Sequence, residues 1–247
     1  SDEQIAMAFS REQGLYDLIE EVINSLYRAY KYDKFLVNKY MLARRIVDGT
    51  MTPVNIASWN SLTPRERVSK MKNVSNLMTF MSPNYNPAGL RRATAFEDQI
   101  MIMNSQMEAD MSTEVLATSY FLNQAEMKSN MALVDKFTME DVSRLQELLG
   151  DQYVPFEDTD VQLLEKIPAV IISRNWYKNY TYTLDNASDM SLAGTRASSF
   201  YNPETLRTNH WLHAWKVFST SPFEQGVFFI ANPTNNVVPS VTSVTIS

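Results

Sequence analysis

Gln99-Ile100-Met101-Ile102-Met103 is a short, almost uninterrupted apolar run, consistent with a strand covered on both faces. Two further runs read as short strands. Ala132-Leu133-Val134 is one, and Ile167-Pro168-Ala169-Val170-Ile171-Ile172 is the other. Pro168, which cannot donate to a ladder, marks a strand beginning or an edge. Later, the aromatic-rich stretch from Arg207 to Thr220 and the run Gly226-Val227-Phe228-Phe229-Ile230 read as antiparallel strands closing the domain.

Helical signals lie between these runs. After Asn104 to Met111, Ser112-Thr113-Glu114 opens a helix whose apolar residues are Val115, Leu116, Tyr120, Phe121 and Leu122. Thr138-Met139-Glu140-Asp141 starts another, with Val142, Leu145, Leu148 and Leu149 inward and Gly150 at its end. The fold class is therefore α+β, with no internal repeat.

Upstream the chain is helical. Leu15, Ile19, Val22, Ile23, Leu26 and Tyr30 repeat at three- and four-residue intervals, which predicts an amphipathic helix over about 4–32. A second helix is expected over about 34–48, stopped by Asp48-Gly49. Thr50 to Leu62, with Pro53, reads as a loop. In Thr63-Pro64-Arg65-Glu66 the threonine can cap, proline suits the first helical position, and Glu66 can reach back to the Thr63 amide. Val68, Met71, Val74, Leu77 and Met78 carry that helix to Met81, and Ser82-Pro83-Asn84-Tyr85-Asn86-Pro87 ends it. Asn232 to Ser247, rich in Pro, Asn, Ser, Thr and Val, reads as a linker.

Composition removes whole classes of chemistry. The 247 residues include 22 basic and 28 acidic side chains, a net charge of −6, and no cysteine. Disulfides, zinc knuckles, iron–sulfur sites and thiol nucleophiles are excluded. Six glycines, against a usual ~7% of residues, permit no dinucleotide fingerprint, phosphate loop or nucleophile elbow. An acidic balance disfavours binding nucleic acid by bulk charge. No apolar run approaches the ~18 residues of a membrane span. A start at Ser1 reads as a processed or shortened product.

The remaining candidates favour ordinary structural roles. His210 and His213 are the only histidines; on a strand they face opposite sides and cannot share a metal, whereas on a helix they could. No local feature nominates a serine for a Ser–His–Asp triad. Glu97-Asp98, Glu108 with Asp110, Glu140-Asp141 and Glu157-Asp158 with Asp160 fit loops and first helical turns, where acids favour the positive dipole end. Arg44-Arg45 and Arg91-Arg92 are too sparse for a nucleic-acid footprint, although either could contact a neighbouring subunit. Met101, Met103, Met107 and Met111 could suggest a soft-metal site, but without histidine or cysteine they fit a flexible core. These residues assemble no catalytic, cofactor-binding or metal site.

The order of segments carries a resemblance. A long helix runs from Phe9-Ser10-Arg11-Glu12 through Tyr32, and a capped helix precedes the strand Ile100-Met101-Ile102-Met103-Asn104. The Ser112–Asn123 helix and the strand Ala132-Leu133-Val134-Asp135 follow. Ala169-Val170-Ile171-Ile172 leads into an expected short helix at Asn175-Trp176-Tyr177. Last comes Asn209-His210-Trp211-Leu212-His213-Ala214-Trp215-Lys216-Val217-Phe218, turning through Ser221-Pro222-Phe223 into Gly226–Ile230. This order resembles the major capsid proteins of tailed bacteriophages, with the Hong Kong 97-like fold. The terminal strands and Ile171–Tyr182 are most similar to those of the small, short-tailed, protein-primed phages.

The resemblance implies a long spine helix, a peripheral P-domain, and an axial A-domain with a central mixed sheet. Residues 1–82 would be P-domain spine and following helices, 83–200 the A-domain, and 201–231 the return strands of the P-domain. Residues 232–247 would link toward an Ig-like domain, since Val241-Thr242-Ser243-Val244-Thr245-Ile246-Ser247 is similar to the first strand of one. The implied protein is not an enzyme. It is a structural subunit of an icosahedral phage or prophage head shell around double-stranded DNA, located in the virion and, during assembly, in the host bacterial cytoplasm. Its implied partners are copies of itself (pentamers and hexamers in full-length form), a scaffold protein and a portal. DNA is enclosed without sequence-specific binding, and no membrane or cofactor is involved. The family places an N-terminal arm and an extended hairpin loop before the spine helix. A helix beginning near residue 4 leaves no room for them, so a truncated chain is expected. An encapsulin-type compartment shell and a non-enzymatic surface interaction module are the alternatives, and a hydrolase using His210 or His213 is a third.

Overall fold

The structure, a computed structural model, describes residues 14–110, 130–181, 195–203, 207–214, 216–232 and 244–245. Where two helices were expected near the start, one helix, α1, runs unbroken over Gly14–Val47. No glycine or proline interrupts Tyr32-Asp33-Lys34, so nothing stops the hydrogen-bond ladder there. Its end is where the sequence places it: Asp48 N–H donates to Arg44 O at 2.8 Å, and Gly49 takes a φ of 68°. The expected stretch 4–13 lies outside the described residues. Val22 is exposed and Ile23, Leu26 and Tyr30 are half-buried, while burial begins at Leu36 and continues through Leu42, Ala43 and Ile46.

Two compact units account for the described residues: those of Ser1–Val37 with Asn179–Phe218, and those of Asn38–Lys178 with Ser219–Ser247. Strands from 52–56 and 226–231 share one sheet with those from 99–104 and 169–173.

That sheet dominates the larger unit. Its strands are β1 (Thr52–Ile56), β2 (Gln99–Asn104), β3 (Met131–Val134), β4 (Ala169–Ser173), β9 (Gly226–Ala231) and β10 (Val244–Thr245), in the spatial order β10-β1-β9-β4-β2-β3. β1 runs parallel to β9 and β10, and β2 parallel to β3, while β4 is antiparallel to both β9 and β2. The three apolar runs near 100, 132 and 170 thus form strands as expected. The stretch 50–62, expected as a loop, contains β1. Pro53 is tolerated there opposite Phe228 because β10 reaches only Val54 and Asn55. Val244 and Thr245, expected within a linker, form the edge strand β10.

Side chains alternate across the sheet. Ile102, Val170, Ile172, Phe228 and Ile230 pack on one face with Leu42, Ala43 and Ile46 of α1. Leu163 and Leu164 of the short helix α5 (Asp158–Glu165) join them. Met103, Ala169, Ile171, Val227 and Phe229 pack on the other with Met71, Val74 and Met78 of α2 (Pro64–Met78) and Met107 of the short helix α3 (Ser105–Asp110). Buried Lys39 donates to Asp135 Oδ1 at 2.7 Å, tying α1 to the segment after β3. Partial burial pushes the Asp135 carboxyl up, but the Lys39 bond and the Lys136 amide outweigh it and leave it below its ordinary range. Of the inward residues expected on α4 (Val142–Leu149), Leu145 is fully buried, Leu149 is half-buried, and Val142 and Leu148 are exposed.

In the smaller unit, β6 (Thr195–Asn202) and β7 (Arg207–Ala214) form an antiparallel ribbon, from Thr195 opposite Ala214 to Asn202 opposite Arg207. A second ribbon joins β5 (Tyr177–Thr181) to β8 (Lys216–Thr220). The stretch 207–220 therefore does not pair with 226–230 as expected; those residues enter the central sheet instead. Nor is Asn175-Trp176-Tyr177 helical. Trp176 N–H closes a turn onto Ser173 O at 2.9 Å, and Tyr177 begins β5. The helix expected from Ser112 lies outside the described residues.

Candidate functional site

Among the described residues, those singled out for chemistry do not converge; Met111 lies outside them. His210 and His213 lie on β7, in register with Ser199 and Arg196 of β6. Among the described residues no three His, Asp or Glu side chains cluster to hold a metal ion, and no helix is long and apolar enough to cross a membrane. Met103 and Met107 are buried beneath α2, with Met101 half-buried beside them. Glu97 and Asp98 are exposed in a single helical turn, and Glu140 and Asp141 precede α4. Glu157 and Asp160 cap the start of α5, the Glu157 amide donating to Asp160 Oδ2 at 3.0 Å. Arg44 pairs with Asp48 at 3.1 Å, and Arg45 Nε donates to Thr220 Oγ1 at 2.7 Å. Arg91 and Arg92 are exposed.

A different feature stands out around that last pair. Helix α2 starts with the expected capping box, the Thr63 amide donating to Glu66 Oε2 at 2.8 Å and Glu66 N–H to Thr63 Oγ1 at 3.4 Å. The Thr63 amide, and then its hydroxyl donating to Glu66 Oε2 at 2.9 Å, hold the Glu66 carboxyl below its ordinary value. At its far end the helix gives way to a loop whose large apolar side chains face solvent. Phe80 is 68% exposed and Met81 76%, and Leu77 and Leu90 are also exposed.

This loop is fastened to the sheet by a buried polar network. Ser75 Oγ donates to Gln99 Oε1 at 2.6 Å, and Gln99 Nε2 donates to Ser75 O and Thr94 O at 3.0 Å each. Thr94 Oγ1 donates to Gln225 Oε1 at 2.6 Å, and Gln225 Nε2 to Arg92 O at 2.9 Å. Ser75, Gln99, Thr94 and Gln225 are all buried, and satisfied networks of this kind rigidify what they join. Further along, Ser82 and Arg92 form a two-way backbone bridge, and Leu90 N–H donates to Asn86 Oδ1 at 2.9 Å. Gly226 N–H donates to Tyr85 O at 2.8 Å. A side chain at Gly226 would meet Met51 Cε at 2.8 Å and Trp176 Nε1 at 3.0 Å, so glycine permits this close approach. The loop therefore presents Phe80, Met81, Leu90, Arg91 and Arg92 from a fixed backbone. Sequence reading named the arginines and missed the glutamines; the available signal was a polar Gln at the head of an apolar run, at 99 and again at 225.

The opposite side of the same sheet carries the contrary charge. Between Phe137 and Glu165 there are eight acidic residues and one basic one, Arg144. Phe137, Met139 and Phe156 anchor this segment to the α1 side of the core. Tyr40 packs on Tyr153 and Phe156 at 5.4 and 5.7 Å between ring centroids, and its hydroxyl accepts from Val154 N–H at 2.9 Å. Val142, Leu148 and Val154 are exposed among the acids. Fixed, solvent-facing apolar side chains rimmed by charge mark protein–protein contact surfaces rather than reaction centres.

Known proteins resemble this chain over most of its length. Bacillus phage PZA's major capsid protein is 23% identical over 252 aligned residues, covering 100% of this chain and 47% of the relative. That of Bacillus phage GA-1 is 21% identical, covering 93% of this chain and 42% of the relative. The chain thus spans about half the length of the curated relatives it matches. Among solved structures, a chain of the Staphylococcus phage Andhra capsid superposes with a TM-score of 0.58 at 14% identity, covering 91% of this chain and 66% of that one. A chain in a structure of the head fibre and inner core protein of bacteriophage P68 gives 0.52 at 15% identity, covering 91% and 64%. The α+β architecture with a central mixed sheet is therefore that of phage capsid proteins. Residues 1–230 match the family described as Phi29-like phage major capsid protein, and the chain belongs to that family.

Proposed function

We propose that this chain is the shell-forming part of a non-enzymatic structural subunit of a small, short-tailed phage or prophage head. The family match over residues 1–230 carries the reading. Exposed apolar side chains on a fixed backbone are its physical support. Many copies of one contact close into a shell, so modest pairwise energies are multiplied by copy number. Double-stranded DNA is enclosed without sequence readout, and an acidic chain of net charge −6 gains from not adhering to it. Copies of itself as pentamers and hexamers, a scaffold protein and a portal are the proposed partners. The virion capsid is its site, with the host cytoplasm as the place of assembly. Within the subunit, residues 83–200 are proposed as the axial domain, and residues 1–82 with the return strands 201–231 as the peripheral one. The stretch 232–247 is proposed to lead toward an Ig-like domain.

Expression of the gene in its full natural extent, together with its neighbouring genes, tests the proposal. Negative-stain electron microscopy is expected to show closed particles of uniform size. Monomers alone, under conditions where the protein is soluble and folded, would overturn it.

A further inference from the structure

We propose that the basic, apolar face of α2 and the Phe80–Arg92 loop docks head-to-tail on the acidic 137–165 face of a second copy of this chain. The pairing rests on the shell reading and specifies which surfaces of the subunit meet. From Thr63 to Arg92 there are six basic residues, Arg65, Arg67, Lys70, Lys72, Arg91 and Arg92, against the single acid Glu66. From Phe137 to Glu165 the proportion is reversed, with Arg144 alone against eight acids. The two stretches thus carry opposite net charge, and the acidic one keeps its excess after Lys136 pairs with Glu140 at 3.2 Å and Arg144 with Glu147 at 2.9 Å.

The sheet makes that separation matter. Residues of α2 pack on the face formed by Met103, Ile171 and Phe229, whereas Phe137, Phe156 and α5 belong to the face formed by Ile102, Val170 and Phe228. With six strands between them, the two surfaces cannot satisfy each other within one copy. Between copies they can, and a contact joining unlike patches is heterologous, so it propagates into a ring when the rotation closes. Opposite charge steers and registers such an encounter, while desolvation of apolar side chains supplies attraction. Both surfaces carry the second ingredient: Phe80, Met81 and Leu90 on one, Val142, Leu148 and Val154 on the other. Both also have a fixed backbone, through the Gln99–Thr94–Gln225 network and through the Tyr40–Val154 bonds.

Because the chain contains no cysteine, single thiols report the contact cleanly. Leu90→Cys and Val154→Cys chains, mixed in equal amounts at low salt and treated with a short bismaleimide, are expected to give the mixed dimer in excess over either homodimer. Adding 0.5 M NaCl should suppress it, which tests the charge argument without further variants. Introducing Arg91→Glu and Arg92→Glu beside Leu90→Cys should lower the mixed yield by about tenfold. Introducing Asp151→Lys and Asp158→Lys beside Val154→Cys should restore it, a recovery that mere damage to folding would not produce. Leu90 homodimers in excess, absence of the mixed dimer at millimolar concentration, or failure of the reversed pair to recover would each overturn the pairing. So would a labelled DNA duplex that binds through Arg91 and Arg92 and abolishes cross-linking, since the basic face would then serve nucleic acid. Particles in the microscope without this cross-link would sink the pairing and leave the shell function standing. The cross-link without particles would do the reverse.

Discussion

Gln225 shows how one buried amide can govern a surface it never reaches. Its carbonyl oxygen takes the Thr94 hydroxyl at 2.6 Å and its amide gives to Arg92 O at 2.9 Å, all within a fully enclosed side chain. Leucine at this position would keep the volume and strand both partners. A buried donor or acceptor left without a bond costs about 1–3 kcal/mol. Gln225→Leu is therefore expected to lower the melting temperature by roughly 4–8 °C, taking about 2 kcal/mol and the dependence typical of this chain length. Adding Thr94→Val should return part of the loss, because removing both partners of a bond is far cheaper than removing one. Calorimetry on the two variants checks this; an additive second loss would show that the network is not the cause. The network was illegible in the sequence for a simple reason. Gln99 and Gln225 are separated by more than a hundred residues and look like polar punctuation before apolar runs, and nothing local tells a buried amide from a solvated one.

At the scale of elements, two kinds of β-structure coexist and should differ in their dynamics. β4 lies between β9 and β2 with all five residues buried. By contrast β6 and β7 form a two-stranded ribbon on which Phe200, Tyr201 and Trp211 are exposed. Ribbons of two strands are marginal by themselves, whereas opening a central strand costs much of the global unfolding energy. Hydrogen exchange by mass spectrometry is expected to find amides of Ala169–Ser173 the slowest, and those of Thr195–Asn202 at least about 100-fold faster. Equal protection would mean that the ribbon is sheltered by something other than its own pairing. The same contrast explains what could be read in advance. Ile100–Met103 and Val170–Ile172 announce themselves because burial on both faces demands unbroken apolar runs. The α2 start was equally legible, since a capping box is written within four residues. β1 was not, because Thr-Pro-Val-Asn-Ile carries a proline and two polar residues and pairs in parallel with a strand some 175 positions away. The division at Tyr32 failed for the opposite reason: a change in which side is buried, from half-exposed Leu26 to buried Leu36, resembles a break although the ladder continues.

Across the whole molecule, folding and assembly place separate demands on the apolar residues. The two sheet faces consume Phe228, Phe229, Ile46 and Met78 completely, and those side chains hold the chain together. Phe80 and Met81, at 68% and 76% exposure, contribute little to that. Burying even ~100 Å² of Phe80 against a neighbour would yield about 2.5 kcal/mol. In a shell that gain recurs at every equivalent contact, so a deletion too small to unfold one copy is multiplied through the particle. Phe80→Ser combined with Met81→Ser is therefore expected to shift the melting temperature by no more than about 2 °C, as surface changes generally do. The same variant should yield soluble subunits and no closed particles when expressed with its neighbouring genes. A large fall in melting temperature would assign these side chains to the core of the single chain. Normal particles with normal stability would remove this face from the shell contacts altogether.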